Sequence, residues 1–175
     1  MTKDKIIEFK KLNICILTIS SSRDLNNDRS GDFLEERVLS FGHKLFARKV
    51  VKDNKISIQD TVTDWSKNKE VDVIITTGGT GLTETDVTPE SLEEIFEKTI
   101  SGFSIIFHKV SYDKIKTSTI QSRATAGILL QTFVFALPGS PNAVRDGWDE
   151  ILVHQLDSRH KPCNFVDILP RLKEV

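Results

Sequence analysis

Only two cysteines occur in the 175 residues, Cys15 inside an apolar run and Cys163 in a polar tail, so neither a disulfide framework nor a thiolate metal site organises the chain. The four histidines, His43, His108, His154 and His160, have no spacing that suits zinc. Neither sign of charge dominates: 24 Lys and Arg against 25 Asp and Glu leave a formal net charge of -1. A balanced chain sets up no broad field for nucleic acid or anionic lipid, so any polyanion must be held locally and no nucleic-acid partner is expected. No apolar run approaches the roughly 20 residues of a membrane-spanning helix, so no membrane partner and a cytoplasmic location are expected. The phosphate loop GxxxxGK[ST], the dinucleotide fingerprint GxGxxG and the nucleophile elbow G-x-S-x-G are all missing. Covalent serine chemistry is therefore disfavoured.

What is present is an alternation of apolar strands and amphipathic helices in one domain-sized chain. Residues 1–10 read as a flexible N-terminal lead, 11–157 as the folded domain and 158–175 as a tail packed on the domain or on a neighbouring subunit. Strands are expected at 12–19, 45–51, 71–75 and 132–137. Helices are expected from Ser30 to Phe41 with Gly42 as the stop, around Ile58, Val62 and Trp65, after Pro89, around Phe103 to Val110, and from Pro141 through Leu156. Residues 122–130, with small Ala124, Ala126 and Gly127, read as a short helix. The fold class expected is a single α/β domain of three layers, Rossmann-like, with an open and mostly parallel sheet between helical layers.

Ligands in such folds gather beyond the carboxyl ends of the strands. Three polar segments leave strand ends here: Ser20 to Gly31, Thr76 to Asp86 and Pro138 to Asn142. The second, TTGGTGLTETD, sets Gly78, Gly79 and Gly81 where the backbone can bend sharply or lie against a ligand. Thr88 is suited to cap the helix that follows, with Pro89 at its first turn. The third segment repeats the design, Ser140 preceding Pro141. Exposed peptide nitrogens at such bends and helix starts are natural phosphate seats. Asp86 and Asp53 are acids able to hold Mg²⁺ through oxygen, each equally readable as an ordinary turn acid. Arg23, Lys114, Lys116 and Arg123 are the basic candidates, Arg123 able either to clamp a phosphate or to make a structural ion pair.

These pieces, ILTIS at 16–20, DRSG at 28–31, TTGGTGLTETDVTPE at 76–90, STIQSRATAG at 118–127 and LPGSPNAV at 137–144, together closely resemble the MoaB/MogA family of molybdenum cofactor biosynthesis proteins. SRHKPCNF at 158–165 looks like the MoaB branch. The resemblance implies binding of molybdopterin, a pterin with a dithiolene and a terminal phosphate, and transfer of AMP to that phosphate from ATP with Mg²⁺. It further implies a homo-oligomer, hexamer or trimer, and the company of molybdopterin synthase and molybdenum insertase proteins.

Carried over by motif position, Thr77, Gly78, Gly79, Thr80 and Gly81 look like the phosphate cradle. Ser118, Ser122 and Arg123 resemble the wall near the pterin, while Gly139, Ser140, Pro141 and Asn142 resemble the loop that completes the pocket. Asp53 and Asp86 match the two functional acids, catalytic and, through Mg²⁺, metal-holding. Two departures stand out: Ile105 replaces the acid of the family's GFGE segment, and Arg29 stands where Thr or Lys is more usual. The alternatives are a molybdopterin carrier without enzymatic activity, and a nucleotide-binding protein with weak ATP or GTP hydrolysis. Phe9, Ile105, Phe107 and the tail around Cys163 to Val166 are candidate subunit contacts, each equally able to complete the monomer core.

Overall fold

A computed structural model describes residues 7–174, and most of the flexible lead expected at 1–10 lies outside them. Six strands form one sheet in the order β2-β1-β3-β6-β5-β4. They are β1 (Asn13–Ile19), β2 (Lys44–Val51), β3 (Val73–Thr77), β4 (Lys98–Thr99), β5 (Thr125–Leu129) and β6 (Thr132–Leu137). The neighbours β2, β1, β3 and β6 run parallel, whereas β5 turns back against β6 and β4 against β5.

Alternation along β1 divides the core. Ile14 and Ile16 face one layer with Leu34 and Val38 of α1 (Arg29–Phe41) and with Phe103 and Phe107 of α4 (Ser101–Ile115). Cys15, Leu17 and Ile19 face the other, against Ile58 and Val62 of α2 (Lys55–Lys67) and Leu92 of α3 (Thr88–Glu93). Both faces of the central strands are therefore apolar, as a covered parallel sheet requires. The chain ends in α5 (Pro141–Gly147), a π turn (Trp148–Leu152), α6 (Val153–Gln155) and α7 (Leu169–Leu172), with Val144, Trp148, Leu152 and Leu156 all buried.

Three expectations need correcting. Residues 125–129 are strand β5 rather than helix, because Gly127 is small for a different reason: a Cβ there would lie 2.2 Å from the Phe96 ring. Leu130, at φ 54°, turns the chain into β6 without the glycine or asparagine that usually marks a tight hairpin. Thr76 and Thr77 continue β3 as fully buried residues instead of ending it. Thr88 is the first residue of α3, not its cap, and its hydroxyl donates to the Gly78 carbonyl at 2.9 Å. Finally, of the two readings of Phe107, subunit contact or monomer core, its complete burial selects the core.

Strand order reverses between β1 and β3, since the chain passes from β1 to β2 on one side and then to β3 on the other. Thr18 of β1 is level with Thr77 of β3, and Thr77 with Leu137 of β6. All three polar loops thus leave the sheet at one height, around the crevice that such a reversal opens.

Candidate functional site at the strand-order reversal

Gly78 and Gly79 make the bend, with φ of 103° and 62°. A Cβ on Gly78 would stand 2.2 Å from the Ile19 carbonyl oxygen, so the β3 loop crosses β1 at a distance that only glycine permits. The β6 loop closes on the same point: a Cβ on Gly139 would lie 3.1 Å from the Gly78 Cα. Thr77 Oγ1 donates to the Pro138 carbonyl at 3.0 Å, and the Gly78 N–H to the Leu137 carbonyl at 3.1 Å. From the third loop, Ser30 Oγ and Arg23 Nη1 donate to the Gly139 carbonyl at 2.9 and 3.2 Å. Ser140 caps α5 by accepting from the Ala143 N–H at 3.2 Å, with Pro141 and Asn142 opening the helix beside it.

These bonds decide which peptide nitrogens remain. The Gly78 N–H is spent, and the Thr88 N–H donates to the Gly79 carbonyl at 2.9 Å. Among the described residues the Gly79 and Thr80 N–H groups have no acceptor. Two adjacent unpaired amides at a bend form a small anion seat, because a missing bond at a buried donor is costly and a ligand oxygen can supply it.

The two acids stand on either side of this seat and differ in commitment. A Cβ on Gly79 would lie 3.3 Å from Asp53 Oδ1, which puts that carboxylate at the bend. Its oxygens make no hydrogen bond to the described residues; only its N–H is held, by Ser21 Oγ at 3.3 Å. Asp86 instead fastens its own loop, Oδ2 accepting the Thr83 N–H at 3.0 Å and the Thr83 hydroxyl at 2.5 Å. Partial burial raises the Asp86 pKa, but the Thr83 hydroxyl and N–H, the Gly81 N–H and the Arg123 charge outweigh it and hold the carboxyl below its ordinary range.

Arg123 is also committed. Its Nε donates to the Gly81 carbonyl at 2.8 Å, Nη2 to the Asp86 carbonyl at 2.6 Å, and Nη1 pairs with Glu90. Ser122 lines the same cavity of about 330 Å³ as Arg123, with Ser104, His108 and Glu93. Ser118 sits apart on an exposed 3₁₀ turn (Lys116–Gln121). Of the other basic candidates, Lys114 pairs with Asp146 and Glu150, and Lys116 lies over the Tyr112 ring. A more enclosed cavity of about 450 Å³, walled by Ile100, Phe103, Ile106, Ile151 and Phe165, shares no residue with the three loops. Its wall is mainly apolar, with Glu150, His154, Gln155 and His160 also lining it, and it lies apart from the glycine bend.

A family model described as "Probable molybdopterin binding domain" matches residues 15–158. Molybdenum cofactor biosynthesis protein B of Escherichia coli K12 is 42% identical over 158 residues, 90% of this chain and 93% of that protein. The chain belongs to the MoaB/MogA family of molybdenum cofactor biosynthesis proteins. Within it, a probable molybdopterin adenylyltransferase of Methanocaldococcus jannaschii is 41% identical over 143 residues, covering 78% of this chain and 85% of that one. A crystal structure of a molybdenum cofactor biosynthesis protein B superposes with a TM-score of 0.85 at 35% identity, covering 95% and 98% of the two chains. The three-layer fold with its mixed, mostly parallel sheet is thus the MoaB/MogA fold.

Several residues of this site escaped the sequence. Asp28, fully buried, caps α1 by accepting the Gly31 N–H at 2.9 Å, and its Oδ2 receives the Thr18 hydroxyl and Arg48 Nη2. Ser21 and Ser30 hold the other loops in place, Ser30 sharing the Gly139 carbonyl with Arg23, which was already among the basic candidates. The motif DRSG carried a signal for Asp28 and Ser30. Nothing local marked Arg48, whose role depends on β2 lying beside α1.

An Mg²⁺ that arrives with a nucleotide needs only one or two carboxylates, because it keeps water and takes the rest of its shell from phosphates. Asp53, whose oxygens have no partner among the described residues, has the chemistry for one such ligand, whereas Asp86 Oδ2 is engaged by Thr83. Among the described residues no group of three or more His, Cys, Asp or Glu side chains could hold a metal unaided.

Proposed function

We propose that this chain binds molybdopterin by its terminal phosphate at the glycine bend and transfers AMP to that phosphate from Mg–ATP. The observation that carries this reading is the pair of unpaired amides of Gly79 and Thr80 beside the uncommitted carboxylate of Asp53. The likeness to the archaeal protein named as a probable molybdopterin adenylyltransferase supports it. Thr77, Gly78, Gly81 and the Pro138 to Asn142 loop shape the seat. Ser122 and Arg123 line the cavity that would take the pterin, while Ser118, on its exposed turn, is not among the lining residues.

The chemistry asks little of side chains beyond position and charge. A substrate phosphate oxygen attacks the α-phosphorus of ATP, a new P–O–P bond forms, and the bond to pyrophosphate breaks. The Gly79 and Thr80 N–H groups orient the attacking phosphate and absorb charge, which is how fixed donors lower such barriers. Asp53 and Asp86 would hold the ion or its waters, and when bound the ion neutralises charge on the nucleotide oxygens. Asp86 also keeps its loop closed through Thr83.

One observation favours a second reading, a carrier that binds molybdopterin without adenylylating it: Ile105, where the family often has an acid, is 66% exposed on α4. Mixing the protein with molybdopterin, Mg²⁺ and ATP decides between them. Pyrophosphate release dependent on the pterin supports the transferase, tight pterin binding without product supports the carrier, and ATP or GTP consumption without pterin supports simple nucleotide hydrolysis. Assembly as a trimer or hexamer belongs to the same proposal. Ile105, Tyr112 and Ile115 give α4 an exposed apolar face suited to it, and light scattering over a range of concentrations tests it.

A further inference from the structure

His108 stands on α4 at the edge of the Arg123 cavity, and each of its ring nitrogens faces a backbone carbonyl. Nδ1 lies 2.7 Å from the Ser104 oxygen one turn earlier, and Nε2 lies 3.0 Å from the Ser122 oxygen beyond the 3₁₀ turn. A carbonyl only accepts, so each contact is a hydrogen bond only when the nitrogen facing it carries a proton. The neutral ring has one such proton and the imidazolium has two. With one, the shorter contact keeps it on Nδ1, because the Ser104 hydroxyl at 3.4 Å is too distant for a strong bond to a lone pair there. A lone pair on Nε2 then faces the Ser122 oxygen. Only the imidazolium closes both bonds.

The bond that opens first is the one the site depends on. Ser122 donates its N–H to the Thr119 carbonyl at 3.0 Å, but among the described residues its own carbonyl has no donor except His108. The next residue is Arg123, whose guanidinium reaches the Gly81 and Asp86 carbonyls and pairs with Glu90. Holding Ser122 against α4 therefore fixes the root of the side chain that fastens the 81–86 loop beside the glycine bend. Glu90 and Glu93 of α3 and Arg123 share the cavity with His108, and Lys109 and Tyr112 are its titratable neighbours along α4. Of these residue types only histidine ordinarily changes charge between pH 5 and 8.

We propose that His108 is a positioning residue for this site and works as a proton-dependent latch. With a proton on both nitrogens it ties Ser122 to α4 and sets Arg123 over the 81–86 loop; with one proton it lets Ser122 go. It touches no reacting atom. Its effect on molybdopterin rests on the reading in which the Arg123 cavity takes the pterin, whereas the latch itself does not.

The test uses the full chain as parent, His108→Arg and His108→Leu. Arginine keeps its donors at every pH, and leucine has none. Ring proton–nitrogen spectra of the parent should show both His108 nitrogens protonated at pH 5.5 and Nδ1 alone at pH 8.5. Amide protection at Thr83, Asp86 and Ser122, corrected for the intrinsic effect of pH on exchange, should fall about tenfold in the parent over that interval, the worth of one charge-assisted bond. Protection in β1 and β3 should hold. The loop should stay protected at both pH values in His108→Arg and unprotected at both in His108→Leu. The parent's kcat/KM for molybdopterin, divided by that of His108→Arg, should also fall about tenfold, a ratio in which the substrate's own titration cancels. A single ring proton at pH 5.5, loop protection indifferent to pH in the parent, or the parent's pH response surviving in His108→Leu overturns the latch. If the spectra and protection follow expectation while the parent neither binds nor adenylylates molybdopterin, the latch stands and the transferase reading falls.

Discussion

Arg123 Nε donates to the carbonyl oxygen of Gly81 at 2.8 Å, joining residues 42 positions apart. With Nη2 on the Asp86 carbonyl, the guanidinium clamps both ends of the 81–86 loop to the start of β5. A planar fork can reach two acceptors at once and an ammonium cannot. Arg123→Lys should therefore release one end of the loop, at a cost of about 1.5–3 kcal/mol for a lost charge-assisted bond. Amide exchange in residues 79–87 should quicken while the β1 and β3 amides stay protected. Unchanged exchange in the loop would show that Arg123 is not its fastener.

Asp53 and Asp86 should respond differently to the same amide substitution. Asp53 oxygens have no partner among the described residues, so Asp53→Asn should leave the unfolding midpoint unchanged while lowering turnover by about 10²–10³-fold, the usual worth of one fixed charge at a reacting centre. Asp86→Asn keeps an acceptor for Thr83 but loses the charge. Its turnover should fall more than its molybdopterin binding, and the loop should loosen by about 1 kcal/mol. Rate assays beside pterin titrations and denaturant melts separate the two. Equal loss of binding and rate in Asp86→Asn would leave it a binding or structural residue only.

Much of this site could be read before folding because its parts announce themselves locally. β1, β3 and β6 are mostly apolar runs, and glycine or Ser-Pro follows two of them, so the strands and the candidate amides beyond them were visible together, although the threonines closing β3 hid its last two residues. β5 was not, since Ala124, Ala126 and Gly127 signal close packing without saying that Phe96 is the neighbour. β4 is two residues long and has no pattern of its own. The inward turn of Asp86 and the full engagement of Arg123 were equally hidden, because both depend on β5 approaching a loop some 40 positions earlier. The family resemblance, not composition, paired Asp53 with Asp86; only the tertiary fold distinguishes the free acid from the fastened one.

Gly78 and Gly102 make a controlled pair. At Gly78 a Cβ meets the Ile19 backbone at 2.2 Å with φ at 103°, whereas at Gly102, in the first turn of α4, a Cβ meets nothing within 4 Å. Gly78→Ala should destabilise by about 1–3 kcal/mol from backbone strain, with more from displacing β1, and should abolish phosphate binding. Gly102→Ala should be neutral or stabilising by up to about 1 kcal/mol. Urea midpoints of the two variants give the comparison. A Gly78→Ala protein as stable as the parent would mean that the bend is not pinned against β1.

His43 should make the protein acid-sensitive. Its ring is buried between Phe9 and Phe41, at centroid distances of 5.0 and 5.4 Å, and Nδ1 accepts the Leu12 N–H at 3.2 Å. A nitrogen that accepts cannot carry a proton, so the folded state holds the neutral ring. Burial pushes its pKa down to about 4 from 6.5, against the pull of Asp157 and Asp72 and with some help from Lys11. The unfolded chain therefore binds a proton first as pH falls. The contribution of neutral His43 is complete above pH 6.5, is lost progressively from there to about pH 4, and changes no further below. The full loss is on the order of 3 kcal/mol. Urea midpoints between pH 7 and pH 4 should fall, and His43→Gln should remove most of that slope while lowering stability at neutral pH. An equally steep slope in His43→Gln would assign the acid sensitivity to the carboxylates, whose titration lies lower.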